Sequence, residues 1–223
     1  MTQFYNQEIN DVLKALGTSS STGLTSEKAA QKLQEHGYNQ LAAKRRKSFV
    51  QLFFAQFRSF MIIILLIAAI VSGIIGILND EGLIDTFVIL GILILNAFIG
   101  AWQERKAESS LEALKKLAAP ETRVMRDGDV REIPTMDLVP GDIVILETGS
   151  VVPADLRLTE TVNLKIQESA LTGESVPVEK NSKALSGSNI APGDRVNMAF
   201  SGSMVTYGRG RGVVIATAMK TEV

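Results

Sequence analysis

The chain of 223 residues contains no cysteine and a single histidine, His36. Disulfide bonds, thiolate metal sites and a cysteine nucleophile are therefore excluded, and so is a metal site built from several histidines. Basic and acidic residues are nearly balanced, 23 against 24, so the chain lacks the basic excess that is typical of nucleic-acid-binding proteins. We therefore expect no nucleic-acid partner.

Two stretches of the chain lack charged residues altogether, residues 59–79 and residues 86–103. A helix needs about 20 apolar residues to cross the hydrocarbon core of a bilayer, and both stretches come close to that length. A buried helix of a soluble protein seldom stays uncharged for so long, so the pattern predicts two transmembrane helices. The first begins too far from the N-terminus to belong to a secretory signal peptide.

The charges around these two stretches predict how they are oriented. The short link between them carries three acidic residues and no basic one: Asp80, Glu81 and Asp85. The outer flanks carry the basic residues Lys44, Arg45, Arg46, Lys47, Arg105 and Lys106. Basic flanks face the cytoplasm, so we expect both termini of the chain to be cytoplasmic. The basic run at 44–47 is either a solvated face or a contact to anionic lipid, and both interpretations stay open.

The segments that flank the spans carry two further patterns. Five of the nine phenylalanines lead into the first span, Phe49, Phe53, Phe54, Phe57 and Phe60. They predict a helix that lies along the lipid headgroups before the chain enters the bilayer. After the second span no helix breaker occurs before Pro120. One helix from Thr86 to Leu117 would be about 48 Å long. The hydrocarbon core takes about 30 Å of that length, so the rest is expected to project as a charged stalk.

The remaining segments predict two small helices and a β domain. Apolar spacing predicts helices at residues 7–16, ending at Gly17, and from Thr25 or Ser26 to Gly37, with His36 as an end residue. From Pro120 onward we expect short strands at 123–133 (two, around Asp127-Gly128), 142–146, 156–158, 164–166, 198–200, 203–205 and 211–216. Turn residues separate them, including Gly208 to Gly210. This spacing predicts a compact all-β sandwich or roll.

The most polar feature of the β domain is the string QESALTGESVPVE at residues 167–179. Its glycine, Gly173, would let the backbone approach a ligand, and Glu174 could orient or deprotonate a water molecule. On residue types alone, an ordinary surface loop is the better interpretation. Pro153, Ala154 and Asp155 are expected to be structural residues, with Asp155 also a candidate to brace this loop. Asn96 is polar within the second span, where it could contact an ion or bond a neighbouring helix.

Five longer strings change the interpretation of that loop. They are STGLTSEKAAQKLQEHGYNQL, FVILGILILNAFIGAWQERKAESSLEALK, LVPGDIVILETGSVVPADLRL, ESALTGESVPVEK and FSGSMVTYGRGRGVVIATAMKTE, in chain order. In these strings the chain resembles the P-type cation-transporting ATPases, most closely the calcium pumps of the type IIA branch. Thr-Gly-Glu-Ser is diagnostic of the actuator domain of that family when it follows PGD and PAD at this spacing.

The resemblance implies a mixed fold, in which a transmembrane hairpin is inserted into a cytoplasmic, all-β actuator domain of distorted jelly-roll type. Residues 1–47 would form a helical arm of the actuator, residues 48–117 the hairpin with its stalk, and residues 118–223 the β-rich part. In the family, ATP phosphorylates an aspartate of a separate domain, and rotation of the actuator then brings its loop to the phosphate. Glu174 would position and activate the hydrolytic water, while Thr172, Gly173 and Ser175 would shape the loop.

The chain lacks other parts of such a pump. It contains no phosphorylation motif Asp-Lys-Thr-Gly, no nucleotide-binding domain and no further spans, so we expect it to be a piece of a longer pump and inactive on its own. ATP and Mg²⁺ would serve the full-length pump, and we expect residues 1–223 to bind no cofactor and no metal. The expected partners are membrane lipid, the remaining pump domains and Ca²⁺, in a bacterial plasma membrane. The alternatives are another cation, such as Mn²⁺ or Na⁺, or a free-standing two-span protein with a binding β domain.

Overall fold

The computed structural model describes residues 4–40, 47–79, 83–117, 120–187 and 189–222. The chain folds into two compact units. One combines residues 1–43 with residues 119–223, and the other comprises residues 44–118. The first unit is thus assembled from two segments, one before and one after the second unit in the sequence. Helices and an antiparallel sheet are both present, which confirms the predicted mixed fold class.

Residues 4–40 of the N-terminal arm form two α-helices, α1 (Ile9–Leu16) and α2 (Ser26–His36). Helix α1 ends at Gly17, which has a φ of 67°, and α2 begins after Thr25, whose hydroxyl accepts a hydrogen bond from the amide of Lys28. Both predicted helices are therefore confirmed, although α1 begins at Ile9 and not at residue 7. Val12 and Leu13 of α1 pack against Met125, Ile143 and Val213 of the β domain, so the arm is part of that domain's core.

The described residues of the second unit form three helices, α3 (Phe49–Gln56), α4 (Phe60–Leu78) and α5 (Ile84–Leu117). Ser48 and Gln51 form a reciprocal capping box at the start of α3. Helix α4 and residues 84–111 of α5 are long and apolar enough to cross a membrane. The predicted lead-in helix and the continuous second helix are confirmed. The position of α3 along the headgroups stays a prediction.

Most apolar side chains of this unit point away from its small core. The core joins Ile62, Leu93 and Ala97, with Phe53 and Phe57 of the lead-in segment packed against it. The outward surface is apolar along both long helices, and Ile77 and Ile84 are 70% and 76% exposed. Such a surface is costly in water and suits lipid, which supports a membrane location. Five of the charged residues behind the orientation prediction lie outside the described residues: Lys44, Arg45, Arg46, Asp80 and Glu81.

In the part of the β domain that the structure describes, seven strands form one antiparallel sheet. They are β1 (Glu121–Arg126), β2 (Asp129–Pro134), β3 (Ile143–Glu147), β4 (Asp155–Gln167), β5 (Val178–Glu179), β6 (Met198–Ala199) and β7 (Met204–Ala216). Their order is β2-β1-β3-β7-β4-β5, and β6 pairs with β4. The hairpin predicted around Asp127-Gly128 is confirmed as β1–β2. Fully buried aliphatic residues, among them Val144, Leu156, Leu158 and Val214, form the main core.

Two details of the predicted strand pattern are wrong. Residues 156–158 and 164–166 belong to a single strand, β4, and residues 204–205 and 211–216 belong to β7. The expected turn at Gly208 to Gly210 lies inside β7, where β4 and β7 pair through several register shifts. Gly208 has a φ of 78°, and a Cβ there would lie 2.3 Å from the carbonyl oxygen of Asn163. Glycine here permits a bulge between two long strands, a role whose sequence signal resembles that of a turn.

Replacing Gly208 by alanine is expected to destabilise the pairing of β4 with β7. The substitution adds both an unfavourable backbone angle and a collision with the backbone of the facing strand. Gly202 is the matched control, because its φ of 81° is similar and no atom lies within 4 Å of its Cβ position. The angle alone costs about 1–2 kcal/mol. We expect G208A to cost clearly more than G202A, measured as faster hydrogen exchange of the β4 and β7 amides. Equal exchange in the two variants would contradict this account of Gly208.

Arg157 of β4 joins the arm to the sheet. Its side chain is fully buried. The guanidinium donates hydrogen bonds to five backbone carbonyls, those of Phe4, Gln7, Leu158, Ser182 and Asn197. Burial lowers its pKa to about 10, so the group stays protonated at neutral pH. Arg157 therefore ties both the first residues of the arm and the segment before β6 to the centre of the sheet.

Candidate functional site

The Thr-Gly-Glu-Ser motif lies at the tip of a loop that leaves and rejoins the sheet. The loop leaves β4 at Glu168, continues as the short helix α6 (Ser169–Thr172), and returns through β5 to Lys180. Strand β5 pairs with β4, with Val178 opposite Ile166, so the two ends of the loop are neighbours. The structure places Thr172, Gly173, Glu174 and Ser175 together on the exposed surface at the turn.

Thr172 holds the turn in shape. Its hydroxyl donates to the carbonyl of Glu168 at 3.1 Å and accepts from the amide of Glu174 at 3.2 Å. Gly173 follows with a φ of 76°, a left-handed conformation that favours glycine. The methyl group of Thr172 packs over Gly193, where an added Cβ would lie 2.7 Å from it. The backbone at Glu174 is therefore fixed by local contacts.

The carboxylate of Glu174 is directed to solvent. Within the described residues, no hydrogen bond or ion pair engages this carboxylate. An exposed carboxylate on a fixed turn is able to meet a group carried by another surface and to orient a water molecule there. Ser175 beside it adds a hydroxyl that could donate to a phosphoryl oxygen.

The base of the loop contains an ion pair that the sequence interpretation missed. The Nζ atom of Lys180 lies 2.7 Å from Oε1 of Glu168, and both side chains are completely buried. Burial raises the pKa of Glu168 and lowers that of Lys180, and the attraction between the two groups opposes both shifts. Glu168 is the first and Lys180 the last residue of the string ESALTGESVPVEK. Opposite charges at the two ends of this string were the sequence signal for the ion pair.

Asp155 has the structural role expected from the sequence, but it does not brace the loop. Its carboxylate accepts hydrogen bonds from the amides of Ser201 and Glu222, at 2.9 Å and 2.7 Å. Burial raises the pKa of Asp155, and these two bonds oppose that shift. Asp155 therefore ties the start of β4 to the turn before β7 and to the end of the described chain.

The described residues offer no group of three or more His, Asp or Glu side chains suited to a metal ion. Magnesium prefers octahedral oxygen coordination, and the motif supplies one carboxylate, Glu174. The described residues of the loop therefore do not supply the ligand set of a Mg²⁺ site. Asn96 lies in α5, in the other unit, and its side chain is exposed.

Comparisons with known proteins agree with this architecture. The family model "P-type ATPase actuator domain" matches residues 116–223, and "Cation transporter/ATPase, N-terminus" matches residues 4–72. Calcium-transporting ATPase 1 of Bacillus cereus is 44% identical over 100% of this chain and 25% of its own length. The calcium-transporting ATPase of Bacillus subtilis is 42% identical over 98% of this chain and 24% of its own length. A cation-transporting ATPase of Synechocystis is 45% identical over 95% of this chain and 23% of its own length. The chain thus spans about a quarter of the length of these relatives.

Proposed function

We propose that this chain, which belongs to the P-type ATPase family, forms the N-terminal part of an ATP-driven calcium pump. The observation that carries the proposal is the exposed Glu174 on its fixed loop, within a domain that matches the actuator model. Similarity to two proteins named calcium-transporting ATPases supports Ca²⁺ as the transported ion.

In this proposal Glu174 acts on an aspartyl phosphate that another domain of the pump presents. The carboxylate orients a water molecule and takes its proton as the water oxygen attacks phosphorus. The bond from phosphorus to the aspartate oxygen breaks, and aspartate and inorganic phosphate are released. Thr172, Gly173 and Ser175 hold the loop that delivers the carboxylate. Delivery by a mobile domain confines hydrolysis to one stage of the cycle, which keeps it coupled to transport.

We propose the same division of the chain that the sequence suggests. Residues 1–47 serve as the arm, 48–117 as hairpin and stalk, and 118–223 as the β-rich actuator. Both termini would face the cytoplasm of a bacterial cell, and the bacterial relatives support that membrane. ATP and Mg²⁺ would be bound by pump domains outside residues 1–223, and Asn96 would be at most a residue along the ion path.

Phosphorylation of native membranes with labelled ATP tests this function. Samples with and without calcium are separated on an acid gel, and an antibody against the β domain marks the protein. We expect a labelled, antibody-positive band that requires calcium and is several times heavier than this chain. An antibody-positive band that never takes up label would overturn the proposal and favour a free-standing two-span protein.

A second candidate keeps the pump but changes the ion. It is favoured by the similarity to a Synechocystis protein whose name specifies a cation and no particular ion. The same gel with Mn²⁺ or Na⁺ in place of Ca²⁺ separates the two candidates. Labelling that requires Mn²⁺ or Na⁺ and ignores Ca²⁺ would establish the second.

A further inference from the structure

The buried pair of Glu168 and Lys180 stands at the point where the loop leaves and rejoins the sheet. Neither side chain reaches solvent, and their charged atoms are 2.7 Å apart. The Nζ atom of Lys180 also lies 5.9 Å from the ring centroid of Phe200, a residue of the buried core. The pair therefore connects the two ends of the loop 169–179 in the interior of the domain, while the motif at the tip of the loop is exposed.

Each member of the pair is fixed to the backbone that shapes the loop. The carbonyl of Glu168 accepts hydrogen bonds from the amides of Leu171 and Thr172 and from the hydroxyl of Thr172. That hydroxyl in turn accepts from the amide of Glu174. At the other end, the amide of Lys180 donates to the carbonyl of Leu164 in β4 at 2.8 Å. A shift of the Glu168 backbone would thus reach Glu174 through two hydrogen bonds.

A buried ion pair is a poor means of stabilising a domain. Removing two charges from water offsets most of their attraction, so well-packed apolar residues often replace such a pair without loss of stability. What the pair does provide is a fixed geometry, because either charge without its partner is costly in the interior. If the pair serves stability alone, an apolar replacement of both residues should restore the wild-type behaviour. If the pair sets the geometry of the loop, the same replacement should restore stability only.

We propose that Glu168 and Lys180 are positioning residues of the catalytic loop, whose ion pair sets the place at which Glu174 meets the phosphorylated domain. The inference rests on the proposed function, because it assigns a role in the dephosphorylation that Glu174 performs. The pair touches neither phosphate nor water and acts through Thr172. Its loss is expected to slow the decay of the phosphoenzyme while its formation is unchanged.

The test compares single and double variants of the full-length protein in membranes. E168Q and K180M remove one charge each, and E168M/K180M removes both. The matched control is E179Q/K183M, which neutralises two neighbouring residues that are exposed. Formation and decay of the labelled phosphoenzyme are measured separately, at equal amounts of folded protein. We expect decay to slow about 10- to 100-fold in both single variants, as for a small displacement of a catalytic group. The control should behave as wild type.

The double variant separates positioning from stability. We expect E168M/K180M to recover the expression and thermal stability of the wild type and still to show the slow decay. Hydrogen exchange of the Leu171, Thr172 and Gly173 amides should also be faster in it. Decay at the wild-type rate in the double variant would overturn the inference and leave the pair a stability element. Unchanged exchange of these amides in all three variants would overturn it as well.

Labelling of the wild-type protein and of a Glu174 variant distinguishes failure of this inference from failure of the proposed function. If wild-type protein takes up label and a Glu174 variant retains it, the function stands whatever the variants of the pair show. If wild-type protein never takes up label, the function fails, and the positioning role falls with it.

Discussion

Under the proposed function, glutamine in place of Glu174 is expected to leave the formation of the phosphoenzyme unchanged and to slow its decay. Glutamine has the shape of glutamate but takes no proton from water. The loop would still reach the aspartyl phosphate, but it would lack the carboxylate that acts as the general base. General-base catalysis contributes about 10²- to 10⁴-fold to a rate. We expect the decay of the labelled band to slow by that factor, measured after a chase with unlabelled ATP.

A neighbouring carboxylate provides the control for this experiment. Glu179 is also exposed and lies on the returning strand β5 of the same loop. E179Q changes the charge of the loop equally and leaves the motif intact, so its phosphoenzyme should decay as in the wild type. Equal slowing in E179Q and E174Q would point to the net charge of the loop. Decay at the wild-type rate in E174Q would remove Glu174 from the chemistry.

Replacing Arg157 by methionine is expected to cause the largest loss of stability in the β domain. The substitution keeps an apolar side chain of some length but removes a donor from each of the five carbonyls. Those of Phe4 and Asn197 keep one partner each, a backbone amide at 3.4 Å and 3.0 Å, whereas those of Gln7 and Ser182 lose the donor that Arg157 provides. Each unsatisfied buried group costs about 1–3 kcal/mol, and part of this is recovered as segments shift toward water. We expect a total loss of about 2–4 kcal/mol, from the carbonyls that lose their donor.

Hydrogen–deuterium exchange of the variant locates this loss. The first residues of the arm and the segment at 182–197 should exchange faster than the rest of the domain, because Arg157 holds both. Arg211, on the same sheet, is a suitable control because it is partly exposed and lies 3.8 Å from Glu160. Exposed pairs contribute about 0–1 kcal/mol, so R211M should change little. Similar effects of R157M and R211M would show that the buried carbonyls find other partners.

The sequence predicts those features that depend on neighbours along the chain. The membrane helices follow from the absence of charge, the β1–β2 hairpin from Asp127-Gly128, and the helix ends from Thr25, Gly17 and Gly37. The Thr-Gly-Glu-Ser motif was identified through family resemblance, and its exposure agrees with a site that acts on another surface. These features need little information about the rest of the fold.

Features that depend on distant residues were not predictable in the same way. Gly208 is a bulge residue because Asn163 faces it across the sheet, and the same glycine-rich string would serve equally well as a turn. Glu168 and Lys180 meet because β5 returns to β4. In the sequence Arg157 looks like any arginine of a strand, and its role follows from hydrogen bonds to the distant carbonyls of Phe4 and Asn197. In each case the tertiary partner decides the role of the residue.

The discontinuous build of the β domain also dictates when it is able to mature during synthesis. The carbonyl of Tyr5 accepts a hydrogen bond from the side-chain amide of Asn197, which the ribosome adds 192 residues later. At about 5–20 residues per second, the arm waits roughly 10–40 seconds for this partner. The apolar partners of Val12 and Leu13 are also made later than the arm, Met125 and Ile143 before Asn197 and Val213 after it. Both long apolar helices are made in the interval. The β domain is therefore completed only after the hairpin has been translated. Until then the arm exposes apolar residues, which chaperones and proteases recognise.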